Sequence, residues 1–201
     1  YLPRLNPDAV PSSEPRPEGA LPPTVDVRQS SLFGAGWTLG SIRRLAESGV
    51  DALTYFETNR WRGLIERSDH PLMVSEFHSR PGIAFPVYHV FADVGEFAGG
   101  TLLDAALSDP LAIEALALRK GEHVRVLLAS FRNQEETFRI GLPGVSDLRV
   151  RVLDDQSYDL AADDPARFRQ TGTPILATDG QIEIQLRPYA VVTIDGRISG
   201  G

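Results

Sequence analysis

Between Ser30 and Trp61 the chain reads SSLFGAGWTLGSIRRLAESGVDALTYFETNRW, and this stretch constrains the fold more than any other. Leu32, Ala35, Leu39, Ile42 and Ala46 recur at helical spacing, and Phe33, Trp37 and Leu45 widen the apolar stripe. Asp26 or Ser30 can accept the free amides at the start, and Arg43 and Arg44 suit the negative end of the helix dipole. Gly49 can take the left-handed conformation that stops a helix. Val50 to Phe56 follows at once, rich in strand formers and free of proline and glycine. A helix that turns directly into a strand is half of an α/β unit. Ligands of such units gather at the carboxyl ends of the strands. Here that end is Phe56-Glu57-Thr58-Asn59-Arg60-Trp61, with an acid, hydrogen-bonding groups, a guanidinium and an aromatic plate.

The rest of the chain shows what surrounds this unit. Tyr1 to Asn6 reads as the tail of a strand, and Pro7 to Pro23 carries six prolines, which predicts a long surface loop. Arg62 to Phe85 is irregular, with turn signals at His70-Pro71 and Arg80-Pro81-Gly82. Pro86 opens a second helix with Val87, Val90, Phe91, Val94 and Ala98 as its stripe, stopped by Gly99-Gly100. After about Leu107 the period becomes alternating. Strands are expected at Ile113 to Arg119, Val124 to Phe131, Thr137 to Leu142, Leu148 to Asp154, Ile182 to Leu186 and Ala190 to Ile194, with a helical turn within Asp163 to Gln170.

An α/β segment followed by an all-β segment predicts the last βα units of a TIM (β/α)8 barrel over residues 1–107. A β-sandwich is expected over 108–197 and a short tail over 198–201. An eight-unit barrel takes roughly 250 residues, so most of it should lie upstream. The chain also starts at Tyr1 rather than Met, which reads as the C-terminal part of something longer. By itself this piece is expected to be inactive.

Composition narrows the function. A net charge of −7, a pI near 5.1 and a single lysine, Lys120, argue against a nucleic-acid partner, which needs clustered cations. No apolar run approaches the ~20 residues that span a bilayer, so no membrane partner is expected. Zero cysteines exclude disulfides, thiolate metal sites and a cysteine nucleophile, and a cytoplasmic location is the natural expectation. No cofactor is called for, and nothing fixes the oligomeric state.

The stretch RQSSLFGAGWTLGSIRRLAESGVDALTYFETNRWRGLIE, with PVYHVFADVGEF after it, resembles the D-apionate lactonase family of bacterial carbohydrate catabolism. LRPYAVVTI resembles the final strand of sandwiches appended to glycosidase barrels. The resemblance implies an N-terminal β domain, a TIM barrel and a C-terminal β-sandwich. On this reading Tyr1 to Asn6 follows barrel strand seven, Val50 to Phe56 is strand eight, and the two helices are helices seven and eight. It implies hydrolysis of D-apionolactone to D-apionate, with a sugar lactone as the small-molecule partner.

Glu57, at the end of strand eight, is the candidate catalytic residue. Such a carboxylate can act as general base on a water or as acid to a leaving alkoxide. The plainer alternative is an ion pair with Arg60 or Arg62. Parity puts Leu53, Tyr55 and Glu57 on one face and Ala52, Thr54 and Phe56 on the other. Trp61 can stack on a sugar or cap the barrel rim. Arg4 and Asn6 can bind ligand oxygens or anchor the proline-rich loop, and Tyr55 and Thr58 complete the expected pocket. Trp37 reads as core, and Gly34, Gly36 and Gly40 as close helix packing. His89, Asp93 and Glu96 fall on the polar face of their helix and read as solvated surface. Glu76, His78 and His70 make only a weak metal set, and no metal site is assigned. No G-x-S-x-G elbow offers a serine nucleophile. Rival readings are a retaining glycosidase on the same fold and a non-catalytic carbohydrate-binding or structural module.

Overall fold

The computed structural model describes residues 21, 25–69 and 77–198. A 3-10 turn at Val27–Ser30 leads into helix α1, Leu32–Glu47, and helix α2 is Pro86–Glu96. The cap of α1 is neither expected residue. Ser31 accepts the Gly34 amide, while Asp26 caps the preceding turn through the Arg28 amide. Gly49 has φ 76°, as the helix stop requires, and Pro86 sits in the first turn of α2.

The strands are β1 Thr101–Leu103, β2 Ile113–Lys120, β3 His123–Ser130, β4 Glu136–Gly141, β5 Val145–Leu153, β6 Thr173–Pro174, β7 Gln181–Leu186 and β8 Val191–Ile198. Helices α3 (Tyr158–Asp163) and α4 (Pro165–Phe168) cross from β5 to β6. The helical turn expected within 163–170 is α4, and α3 precedes it. An antiparallel sheet in the order β1-β2-β3-β8-β5-β6 faces a two-stranded sheet, β4-β7. The large sheet begins at Thr101, ahead of the change of period at 108, because β1 pairs with β2.

Residue alternation explains the layers. In β7 every second residue is buried, which marks a sheet with one wet face. In β3 only His123 is exposed, so this strand is covered on both sides. Val124, Val126 and Leu128 point to the core shared with Ile140, Ile182 and Ile184 of the small sheet. Leu127 and Ala129 point the other way, to a core shared with Ala35 and Leu39 of α1 and Val87 and Val90 of α2. The helices therefore form a third layer. Close approach makes this possible. A Cβ on Gly36 would lie 3.0 Å from the Ala129 Cβ, and one on Gly40 would lie 3.2 Å from Glu114 Cγ. The expected close packing of these glycines is observed. Trp37 is only half-buried and outside that core, because the small residues beside it face the sheet.

Two further expectations fail here. Residues 50–56 form no strand, since a strand exists by its ladder and no described strand lies alongside. Val50 and Leu53 are correspondingly exposed. His89 and Asp93 are not solvated: they are 3% and 2% exposed. Asp93 takes Arg151 Nη2 at 2.6 and 2.8 Å, Arg169 Nη1 at 2.7 Å and the Thr193 hydroxyl at 2.7 Å. Glu96 is exposed but engaged, at 2.5 Å from both Arg125 and Arg169. The polar face of α2 is wet in isolation and dry once β5, β8 and α4 pack on it.

Candidate active site

The segment after residue 56 folds into a closed turn. Glu57 donates its amide to the Arg62 carbonyl at 2.9 Å, and Gly63 donates to Arg60 at 2.8 Å. The Thr58 carbonyl accepts from Leu64 at 3.1 Å and Ile65 at 3.3 Å. Arg60 at the tip has φ 68°, a conformation that costs about 1–3 kcal/mol for a non-glycine and collects at functional sites. Gly63 passes so near that a Cβ would sit 2.5 Å from the Asn59 backbone. Its carbonyl accepts the buried Gln29 side-chain amide at 3.0 Å, which ties the turn to the start of α1. Phe85 donates to Leu64 and Glu66 to Ile83, each at 2.8 Å, so the turn also lies against the start of α2. Both contacts bring the turn against the segments that open α1 and α2.

Glu57 is half-exposed and its carboxylate pairs with the Arg62 guanidinium. A half-exposed pair is worth about 0–1 kcal/mol, so it orients the carboxylate without locking it away. Thr58 is exposed beside it. Trp61 is half-buried and packs on the core between the helices and the large sheet; its indole nitrogen is buried without a partner among the described residues. Tyr55 turns toward the helices, its hydroxyl 2.8 Å from Ser41 Oγ and its ring against Phe56 and Phe91. Phe56 also meets Phe91, so the expected alternation of faces at 52–57 does not hold. Arg4, Asn6, His70 and Glu76 lie outside the described residues, and His78 is exposed, edge-on to Tyr158.

Glu66 is the residue that sequence reasoning missed. It is 2% exposed, and its oxygens accept the Arg67 amide and the Ser79 hydroxyl, each at 2.8 Å. This carboxylate clasps Arg67 to Ser79. A glutamate between Ile65 and Arg67 carries no sequence signal of that role.

Comparison with known proteins gives the family of the chain. Residues 2–99 match the family model "D-apionate lactonase, TIM barrel domain", and residues 110–194 match "D-apionate lactonase, C-terminal immunoglobulin-like domain". The chain belongs to the D-apionate lactonase family. The all-β half expected as a sandwich is the family's immunoglobulin-like domain. No curated protein sequence is significantly similar to this chain. Among solved structures, a glycoside hydrolase family 30 endoxylanase from Clostridium papyrosolvens is 14% identical, with a TM-score of 0.58 over 86% of this chain and 39% of that one. A family 30 subfamily 8 xylanase from Clostridium acetobutylicum is 13% identical, with a TM-score of 0.60 over 84% and 40%. A family 51 α-L-arabinofuranosidase from Thermotoga petrophila is 13% identical, with a TM-score of 0.56 over 82% and 37%. At such identities the likeness shows the fold, a partial TIM barrel joined to a β-sandwich. The chain spans about two fifths of the length of these structures. No described helix is long and apolar enough to cross a membrane.

Proposed function

We propose that the protein carrying this chain hydrolyses a sugar-acid lactone of the D-apionolactone type, with Glu57 as general base. The family match over both halves of the chain supports this reading most directly. Glu57 draws a proton from a water, whose oxygen bonds to the lactone carbonyl carbon. The ring C–O bond then breaks, and its oxygen leaves with a proton as an alcohol, giving the open hydroxy acid. Arg62 orients the carboxylate. Thr58 and Trp61 lie on the same turn and form its side of the pocket; Arg4 and Asn6 are proposed to reach the ligand's oxygens. Tyr55 contributes by fixing the segment ahead of Glu57 to α1. The cytoplasm suits a chain with no cysteine.

The xylanase and arabinofuranosidase neighbours favour a second reading, a retaining glycosidase. That chemistry needs a second carboxylate ~5–5.5 Å from the first. Glu66 is buried and held by two hydrogen bonds, so the partner would have to come from elsewhere.

The test is turnover by the full-length protein of sugar-acid lactones and aryl glycosides, beside its Glu57→Gln variant. The expected result is lactone hydrolysis that falls ~10²-fold or more in the variant. Lactone hydrolysis untouched by the substitution would leave Glu57 an ion-pair partner only. Glycoside hydrolysis without lactone hydrolysis would favour the second reading.

A further inference from the structure

The crossover between β5 and β6 does more than join two strands. Its first part is fixed to the sheet: the Asp154 carboxylate accepts the amides of Gln156 and Ser157, both at 3.0 Å. The Ser157 hydroxyl donates to the Val152 carbonyl at 2.9 Å. Helix α3 is thus anchored where it leaves β5, and its residues meet the segments ahead of α1 and α2. The Tyr158 hydroxyl donates to the Ser30 carbonyl at 2.9 Å, just ahead of α1. The Ala162 carbonyl accepts the Ala84 amide at 2.9 Å, just ahead of α2. Arg80 reaches Asp159 at 2.9 Å and Asp163 at 3.2 Å.

From Ala84 the connection runs on in main-chain pairing alone. Ala84 bridges Ile65, Phe85 and Ile83 flank that bridge with hydrogen bonds to Leu64 and Glu66, and Leu64 and Ile65 donate to Thr58. Residues 50–56 give the turn no ladder of their own. Besides the packing of Trp61 on the core, the turn is held by 83–85 and Gln29, and α3 bonds to Ala84 and to Ser30, the residue after Gln29.

We propose that α3 of the immunoglobulin-like domain is a positioning element for the Glu57 turn, with Tyr158 as its principal side chain. The assignment of a catalytic consequence rests on the lactonase reading above; the mechanical claim does not. Tyr158 touches no reacting group and acts through Ser30 and the start of α1.

The deciding experiment is hydrogen exchange on the full-length protein and its Tyr158→Phe variant, with kinetics alongside. The variant keeps the ring and removes one hydrogen bond, so the amides of Glu57, Leu64, Ile65 and Ala84 should exchange about fivefold faster. The amides of β2 and β3 should be unchanged. Lactone kcat should fall about tenfold with KM held within about twofold, since misplacement of a catalytic group slows the step without removing substrate contacts. Exchange at the turn that does not change would overturn the proposal, and so would equal acceleration throughout the domain. Arg80→Ala, which loosens α3 from its other side, serves if Tyr158→Phe does not fold, with the same outcomes. A full-length protein that hydrolyses no lactone would overturn the proposed function alone, because exchange still decides the role of α3.

Discussion

His89 makes the stability of this chain depend on pH in a calculable way. Its Nε2 lies 3.1 Å from the Ala161 carbonyl, and a carbonyl can only accept, so the proton sits on Nε2. Nδ1 is then bare, buried and without a partner among the described residues. Burial disfavours the charged ring most; the Ala161 carbonyl and Asp93 favour it, Arg151 and Arg169 oppose it, and the pKa falls to about 4 from 6.5. Below 6.5 the unfolded chain takes up a proton that the folded chain refuses until about pH 4. The stability is whole above 6.5 and is lost as pH falls toward 4. Integrating the linkage between pH 7 and pH 5 gives a loss of roughly 2 kcal/mol from this one ring. In urea that corresponds to a midpoint lower by about 1 M. His89→Gln removes the titration, and the other three of the four histidines are common to both proteins and cancel. The assay is urea unfolding of both at pH 7, 6 and 5. Midpoints that fall in parallel would refute the argument, because the difference between the two proteins is the whole signal.

Asp93→Ala should cost about 3–5 kcal/mol, since it removes the carboxylate partner of the buried Arg151 guanidinium. Thermal unfolding reads this as a drop of 2–4 °C for each ~1 kcal/mol in a chain of this size. Burial raises the Asp93 pKa, but Arg151, Thr193, Arg169 and Arg125 outweigh it and hold the carboxyl below its ordinary value. Its contribution is therefore present above about pH 4 and fades only as pH drops further, so Asp93→Asn should flatten the acid limb below pH 4. Gly34→Ala should cost about 1–3 kcal/mol, because the added carbon would fall 2.1 Å from the Arg28 carbonyl oxygen; an unchanged melting temperature would contradict that contact. Residues 100–198 expressed alone should give a poorly dispersed NMR spectrum, since Leu116, Leu127, Ala129, Leu153 and Val191 lose their cover. A well-dispersed spectrum would mean the sheet does not need the helices.

What could be read in advance was whatever is encoded within one element. The stripe of α1, its stop at Gly49, proline at the start of α2 and the alternation in β4 and β7 are local, and each is realised. What could not be read depends on what arrives from far along the chain. Asp93 is buried because Arg151 and Arg169 reach it from 58 and 76 positions away, and a helical wheel sees neither. Residues 50–56 have strand composition, but composition supplies no neighbour to bond with. Short β1 and β6 were invisible for the same reason: they are strands only by pairing with β2 and β5. Residues 57–61 stood out for their polar cluster, but the closed turn needed Arg62 and Ile65, and the clasp by Glu66 needed Ser79 and Arg67, folded around them.

The core between the helices and the large sheet belongs to both family domains at once. Ala35, Leu39, Val87 and Val90 come from the barrel half; Leu116, Leu127, Ala129 and Val191 come from the other. A crossover between genes at residue 100 would therefore cut through a hydrophobic interior rather than a linker. A chimera that pairs this β half with a foreign barrel must import the faces of α1 and α2 with it, down to the glycines at 36 and 40 and the acid at 93. The two halves match separate family models and share one hydrophobic interior.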